Sequence, residues 1–237
     1  MTRPLFHEDA YLREARATVL SHTDEGGVVL DGSLFYPTGG GQPGDSGVLE
    51  WQGRGLNIAT SIKGADGTIV LVPAEPSALP TVGTEVSQRL DWTRRYRHMR
   101  MHSALHLLSV AIPLPVTGGA LSAERGRLDF DMPDMLRDRE ALTAHLERLI
   151  AADLPIGEDW ITQAQLAANP SLVKTLSVMP PKGADRIRLV RIGTDSTQVD
   201  LQPCGGTHVA RTSEIGALRL GKIEKKGRHN RRVYVHL

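Results

Sequence analysis

Two short pieces of the sequence, far apart in the chain, carry the residue types that could hold a metal ion: His102-Ser103-Ala104-Leu105-His106 and Cys204-Gly205-Gly206-Thr207-His208. In the first, the histidines stand four residues apart inside a run, 97–112, that reads as helix. Both rings therefore leave one face about one turn apart. In the second, the only cysteine of the protein precedes another histidine by four residues across two glycines, whose backbone freedom lets both side chains converge. Three imidazoles and one thiolate suit zinc, which favours nitrogen and sulfur donors in tetrahedral geometry. Taken singly, a buried cysteine is usually a small hydrophobe and a helical histidine pair often just faces solvent. Taken together, with the sole cysteine in play, the pairs favour one shared zinc site. Residues 106 and 204 are 98 positions apart, too far for a zinc finger, so the fold must assemble the site.

The elements that position these pieces differ along the chain. Residues 1–90 read as β-rich: Ala17-Thr18-Val19-Leu20, Gly27-Val28-Val29-Leu30 and Thr68-Ile69-Val70-Leu71-Val72 are separated by Gly, Asp and Pro turn signals, as in a small barrel or sandwich. Among them lies the loop Phe35-Tyr36-Pro37-Thr38-Gly39-Gly40-Gly41-Gln42-Pro43-Gly44-Asp45-Ser46-Gly47. It lacks the Gly-Lys-Ser/Thr ending of a phosphate-binding loop and the strand–helix setting of a dinucleotide fingerprint. It reads either as a tight turn with glycines at positive φ or as bare backbone that a ligand can approach. Residues 73–83, with three prolines, form a connector, and the main boundary is placed near residue 90, giving regions 1–90 and 91–237.

Beyond the histidine helix, Gly118-Gly119 reads as a turn and 126–131 as a strand. Leu142, Leu146, Leu149 and Ile150 give the apolar stripe of a helix starting near Asp138. A second helix covers 162–168 and stops before Asn169-Pro170. Strands 186–192 and 198–202 flank a Gly193-Thr194-Asp195 turn and lead into Cys204. Segments 217–224 and 231–237 form a closing hairpin.

At 237 residues the chain can bury a core without staples, and a single cysteine, which excludes an internal disulfide, suits a reducing cytoplasm. No basic segment followed by an apolar run opens the sequence and no apolar stretch is long enough to span a bilayer, so neither a signal peptide nor a membrane partner is expected. Net charge is +1, yet residues 221–237 hold Lys222, Lys225, Lys226, Arg228, Arg231 and Arg232 against Glu224 alone, a local balance of +5 on a body of −4. That asymmetry suits a polyanion, or merely a solvated hairpin turn.

These residues resemble the AlaX family of free-standing alanyl-tRNA editing proteins and the editing domain of alanyl-tRNA synthetase. The shared marks are His102-Ser103-Ala104-Leu105-His106-Leu107-Leu108, Cys204-Gly205-Gly206-Thr207-His208-Val209 and Leu128-Asp129-Phe130-Asp131. The closing segment, from Lys222-Ile223-Glu224 to Asn230-Arg231-Arg232, is also shared, and the glycine-rich loop matches the longer AlaX type. The resemblance implies an α+β protein: an N-terminal small β-barrel domain followed by a two-layer α/β zinc-binding editing domain. It implies Zn2+ held by His102, His106, Cys204 and His208. It also implies hydrolysis of the ester bond of mischarged tRNA-Ala in trans, with Ser-tRNA-Ala as the substrate and Gly-tRNA-Ala as a second candidate, and no obligatory protein partner. Nothing resembles an aminoacylation core. One position departs: Ala120 stands where the family often carries glutamine, so polar contacts there are not carried over.

On that footing, Thr38 is the candidate for reading a serine hydroxyl, with Gly39, Gly40, Gly41 and Gln42 as the backbone beside it. Glu214 is the nearest acidic candidate for assisting a water, although capping or salt-bridging at a strand start is its simpler role. Lys222, Lys225, Lys226, Arg228, Arg231 and Arg232 would meet phosphates, with Arg94, Arg95 and Arg97 in support. His98 shares the helix face of His102 and His106, and is read as a neighbour of the ligands, a tRNA contact or plain surface. Four protein ligands ordinarily mark a structural zinc, whereas catalytic sites keep a position open. The competing readings are a zinc-stabilised tRNA-binding module without catalysis and a metal hydrolase acting on some other ester.

Overall fold

The computed structural model describes residues 1–134, 138–174 and 186–237. The chain divides into two compact units, Met1–His98 and Met99–Leu237. The architecture is mixed α and β.

The first unit is a closed barrel of six strands: β1 (Glu14–His22), β2 (Val28–Leu30), β3 (Gly47–Trp51), β4 (Arg54–Lys63), β5 (Ile69–Pro73) and β6 (Glu85–Leu90). Their order is β1-β2-β5-β4-β3-β6, and β6 returns to pair with β1, so every neighbour is antiparallel and no edge is left open. Inward residues alternate as the pleat requires: Val86, Gln88 and Leu90 are buried along β6. Leu30, Leu34, Phe35, Leu49 and Leu71 fill the interior. Gln88 is tolerated among them because its amide is satisfied at both ends, accepting from Leu34 N at 3.0 Å and donating to Gly32 O at 3.0 Å. The expected β-runs lie in β1, β2 and β5; β3, β4 and β6 complete the ring.

Helix α1 (Trp92–Ala111) starts five residues before the expected 97, and the division between the units falls inside it, after His98. Asp91 supplies the start, accepting from Arg94 N at 3.1 Å. Along its second half Met99, Met101, Ala104, Leu105, Leu107 and Leu108 are buried, and so are His102, Ser103 and His106. A helix covered on all sides in this way has no polar stripe to show in sequence.

The second unit holds two sheets. One runs β12 (Arg219–Lys225), β13 (Asn230–His236), β8 (Arg125–Asp131), β7 (Val116–Leu121). The other runs β9 (Ile156–Ile161), β10 (Ile187–Ile192), β11 (Asp200–Pro203), with both sheets antiparallel. Gly118-Gly119, expected as a turn, lies within β7 instead, paired with Asp129 and Leu128; the reversal comes after Leu121, where Ser122 N donates to Arg125 O. Helix α2 (Arg139–Ala151) is capped by Asp138, whose side chain accepts from Ala141 N, and buries Leu142, Leu146 and Leu149 as its stripe predicts. Helix α3 (Gln163–Ala168) opens with a capping box from Thr162 and Gln165. No helix among the described residues is long and apolar enough to cross a membrane.

Candidate metal centre

Successive turns of α1 present His102 and His106, with ring centroids 5.4 Å apart. The chain leaving β11 presents Cys204 and then His208, whose ring lies 4.3 Å from that of His102 and 4.6 Å from that of His106. Cys204 Sγ sits 3.6 Å from His102 Nε2 and 3.4 Å from His208 Nε2, and the four ligand atoms all fall within 4.8 Å of one another. Bonds of about 2.0 Å to nitrogen and about 2.3 Å to sulfur give a tetrahedral edge of roughly 3.5 Å between them. The observed spacing thus fits one shared ion. The cluster could hold a metal, and it is the one such group among the described residues.

Neighbouring side chains hold the rings in the orientation that ligation needs. His106 Nδ1 lies 2.8 Å from Asp200 Oδ2; a carboxylate only accepts, so Nδ1 carries a proton and Nε2 is the nitrogen left for ligation. Asp200 is itself fixed: Gln202 Nε2 donates to Oδ2 at 2.8 Å and Lys174 Nζ lies 2.5 Å from Oδ1. Ser103 Oγ lies 3.1 Å from His208 Nδ1 and accepts from Val209 N at 3.3 Å.

The electrostatics favour a deprotonated sulfur. Burial alone would push the Cys204 thiol up, but the His102 and His208 rings beside it hold it well below its ordinary value. Burial likewise disfavours an imidazolium at His106, yet hydrogen bonds to Asp200 and Cys204 raise it to about 9. Burial, with the His102 ring next to it, drives His208 down to about 3, so it stays neutral and able to ligate. Asp200 is kept ionised, because His106 outweighs the cost of burial.

The sequence did not single out Asp200, Gln202, Ser103 or Lys174. A signal existed for two of them: Asp200 and Gln202 precede Cys204 at two-residue steps along one strand, the spacing that puts side chains on a common face. By contrast, the freedom invoked for the cysteine turn is not used at Gly205, which stays out of the left-handed region.

Within the barrel unit the glycine loop is a tight reversal. Gly39 N and Gln42 N bond to each other's carbonyls at 3.0 Å, and the two central residues, Gly40 (φ 57°) and Gly41 (φ 81°), are both left-handed. Gly44 lies so close to β4 that a Cβ there would sit 2.1 Å from Ser61 O. Thr38 Oγ1 is engaged inside the loop, donating to Ser61 O at 3.3 Å and accepting from Gly44 N at 2.9 Å. Gln42 is buried.

Several expectations change. Arg95 is not a surface cation: it is fully buried, ion-paired with Asp45 through Nη2 and through Nε at 2.8 Å, and it donates to Leu34 O and Ala10 O. Nor is His98 plain surface; it is 2% exposed. Burial first, and the Arg94 charge second, bring it down to about 4. Glu214 takes its simpler role, accepting from Arg211 N at 3.0 Å to cap the turn Thr212–Ile215. In the basic cluster Arg231 is buried and donates to carbonyls, among them Pro133 O at 2.8 Å, so it is not offered to solvent. Arg232 grips Asp129 with two bonds of 2.7 and 2.9 Å. Lys222 and Lys226 both pair with Glu224, and Lys225 and Arg228 are exposed. Ala120 sits in β7 opposite Arg127.

Residues 187–234 match the family model of the threonyl and alanyl tRNA synthetase second additional domain, and residues 10–94 match that of class II (A) tRNA synthetases. The alanyl-tRNA editing protein AlaX-M of Methanosarcina barkeri is 36% identical over all of this chain and 99% of its own length. AlaX-M of Methanosarcina acetivorans is 33% identical over the same shares. The alanine–tRNA ligase of Pyrobaculum arsenaticum is 35% identical over 94% of this chain but only 25% of the ligase. With a full-length match of this kind around a converged histidine–cysteine cluster, the chain belongs to the AlaX family of alanyl-tRNA editing proteins.

Proposed function

We propose that the protein is a zinc-dependent deacylase that hydrolyses the ester of mischarged tRNA-Ala in trans, releasing serine and, secondarily, glycine. The observation that carries this reading is the convergence of four ligand atoms within 4.8 Å, in a chain that aligns with AlaX-M from end to end. His102, His106, Cys204 and His208 would hold Zn2+, which when bound supplies Lewis-acid polarisation of the ester or of a water.

The chain's own groups supply the rest. Asp200 keeps a proton on His106 Nδ1 and turns Nε2 toward the cluster, and Ser103 Oγ does the same for His208 by accepting from its Nδ1–H. Hydrolysis adds water across the acyl carbon, and the ribose oxygen leaves with a proton; an aminoacyl ester is already labile, so positioning alone carries much of the rate. Glu214 is occupied as a cap and is no longer the preferred assistant for the water. Thr38 Oγ1 has one lone pair left after accepting from Gly44 N, and this can accept from a serine hydroxyl that alanine lacks, beside Gly39, Gly40, Gly41 and Gln42. Leaving such a polar group unmatched can give roughly 10⁴–10⁵ discrimination. The exposed cations Lys222, Lys225, Lys226 and Arg228 are the proposed phosphate contacts, with Arg231 shaping their turn and Arg232 tied to Asp129.

Incubation with Ser-tRNA-Ala, Gly-tRNA-Ala and Ala-tRNA-Ala tests the proposal. Serine should be released and alanine retained, with glycine, which also lacks the hydroxyl, released far more slowly than serine, and Cys204→Ala or His106→Ala should abolish release. A protein that binds tRNA-Ala but frees no serine overturns the proposal. Full turnover after metal removal overturns the zinc assignment.

A further inference from the structure

Two of the three ring ligands are oriented by a side chain, His106 by Asp200 and His208 by Ser103. The sulfur ligand sits on a different kind of support. Cys204 begins a turn through Gly205 and Gly206, and a Cβ at Gly205 would meet nothing within 4 Å, so side-chain packing does not confine the turn at that point. Glycine backbones lose more freedom on ordering than any other residue. Something else must hold the sulfur against the helix.

Arg188 of β10 lies where it can. Its carbonyl accepts from Cys204 N at 3.2 Å. Its Nη1 donates to Cys204 O at 2.8 Å and to Gly206 O at 3.0 Å, one N–H for each carbonyl flanking Gly205. Its Nε donates to Glu158 Oε2 at 2.7 Å, which fixes the plane of the guanidinium from β9. The side chain is 9% exposed. With both carbonyls drawn to one side, Gly206 N faces back and lies 3.4 Å from Cys204 Sγ. A planar fork with divergent donors can serve all three acceptors together; a lysine ammonium, a point charge on a flexible stem, is not preorganised to do so.

We infer that Arg188 is the positioning residue of the cysteine ligand, clamping the Cys204–Gly206 turn so that Sγ stands within reach of the helix histidines. The inference rests on the metal reading of the cluster. Loss of an outer partner of a metal ligand typically costs about 10–100-fold in metal affinity.

The test titrates full-length protein with Co2+ and follows the sulfur-to-cobalt charge-transfer absorption, well below the melting temperature of each variant. Arg188→Met should weaken Co2+ binding about 10–100-fold and alter the sulfur band, Arg188→Lys should fall between, and Glu158→Gln should have a smaller effect in the same direction. A variant with lowered melting temperature but wild-type affinity and band would give Arg188 a purely structural role and overturn the inference. So would Arg188→Met behaving as wild type in every respect. Absence of the band from the wild-type protein would instead remove the metal reading, and the inference with it. If Arg188→Met does not fold, Arg188→Lys and Glu158→Gln decide by the same criteria.

Discussion

The glycine loop of the barrel unit and the cysteine turn of the second unit look alike in sequence, each built round adjacent glycines, yet they use them for different reasons. Gly40 and Gly41 are both left-handed, so the 39–42 reversal exists because these positions lack a Cβ. Gly205 is neither left-handed nor crowded, and hydrogen bonds from Arg188 hold its turn. The first is shaped by local sterics and the second by tertiary contact. A glycine pair in a sequence therefore does not reveal which force it serves.

Substitutions can break or sharpen this contrast. The largest effect is expected at the base of the glycine loop, where Asp45→Asn removes the carboxylate that, among the described residues, pairs with the buried Arg95 guanidinium. Leaving one member of a buried pair uncompensated costs about 3–5 kcal/mol, and chemical denaturation should register it in the transition of the barrel. Acid should come next. His98 is near pKa 4 when folded against 6.5 when unfolded, so the unfolded chain takes up the proton first. Stability is then complete above about pH 6.5 and falls as the pH drops toward 4, by up to about 3 kcal/mol, with no further loss from this group below that. His98→Gln should flatten that slope in pH-dependent melting.

The glycines themselves give the smaller, more pointed effects. Gly41→Ala forces a side chain into the left-handed region and should cost about 1–2 kcal/mol. Gly205→Ala meets neither obstacle and should be neutral or stabilising by about 0.4–1 kcal/mol through the unfolded state. A destabilising Gly205→Ala would show that the two turns obey the same constraint. A stable but inactive one would mark Gly205 as bare backbone required by the substrate.

The four candidate ligands could be read from the sequence because their chemistry is carried by residue type: one cysteine and paired histidines at four-residue spacing. Of their orienting partners, Ser103 and Lys174 could not, being ordinary residues until the fold brings them to an imidazole or to Asp200; Asp200 itself shows only its alternate spacing toward Cys204. The helix start was misplaced for a related reason. Trp92 to Tyr96 shows no apolar repeat because Arg95, a charge, occupies a buried position that only a partner as distant as Asp45 explains. The same blindness made Arg231 look like a surface cation, whereas carbonyls from its own turn and from Pro133 enclose it. Strand β9, Ile156-Gly157-Glu158-Asp159-Trp160-Ile161, is polar and half-exposed, so its pairing with β10 had no hydrophobic signature. Gly118-Gly119 misled in the opposite direction, a turn-like pair absorbed into β7.

The burial of Arg95 also governs where the molecule can be cut. A fragment ending at Leu90 would contain every barrel strand but lose the guanidinium, stranding Asp45 as an uncompensated interior charge and leaving Leu34 O without its donor. Extending the piece through His98 restores both. The portable form of the barrel is therefore defined by one side chain on the following helix, seven residues before His102: a graft or an isolated unit must carry that first helical turn along with the strands.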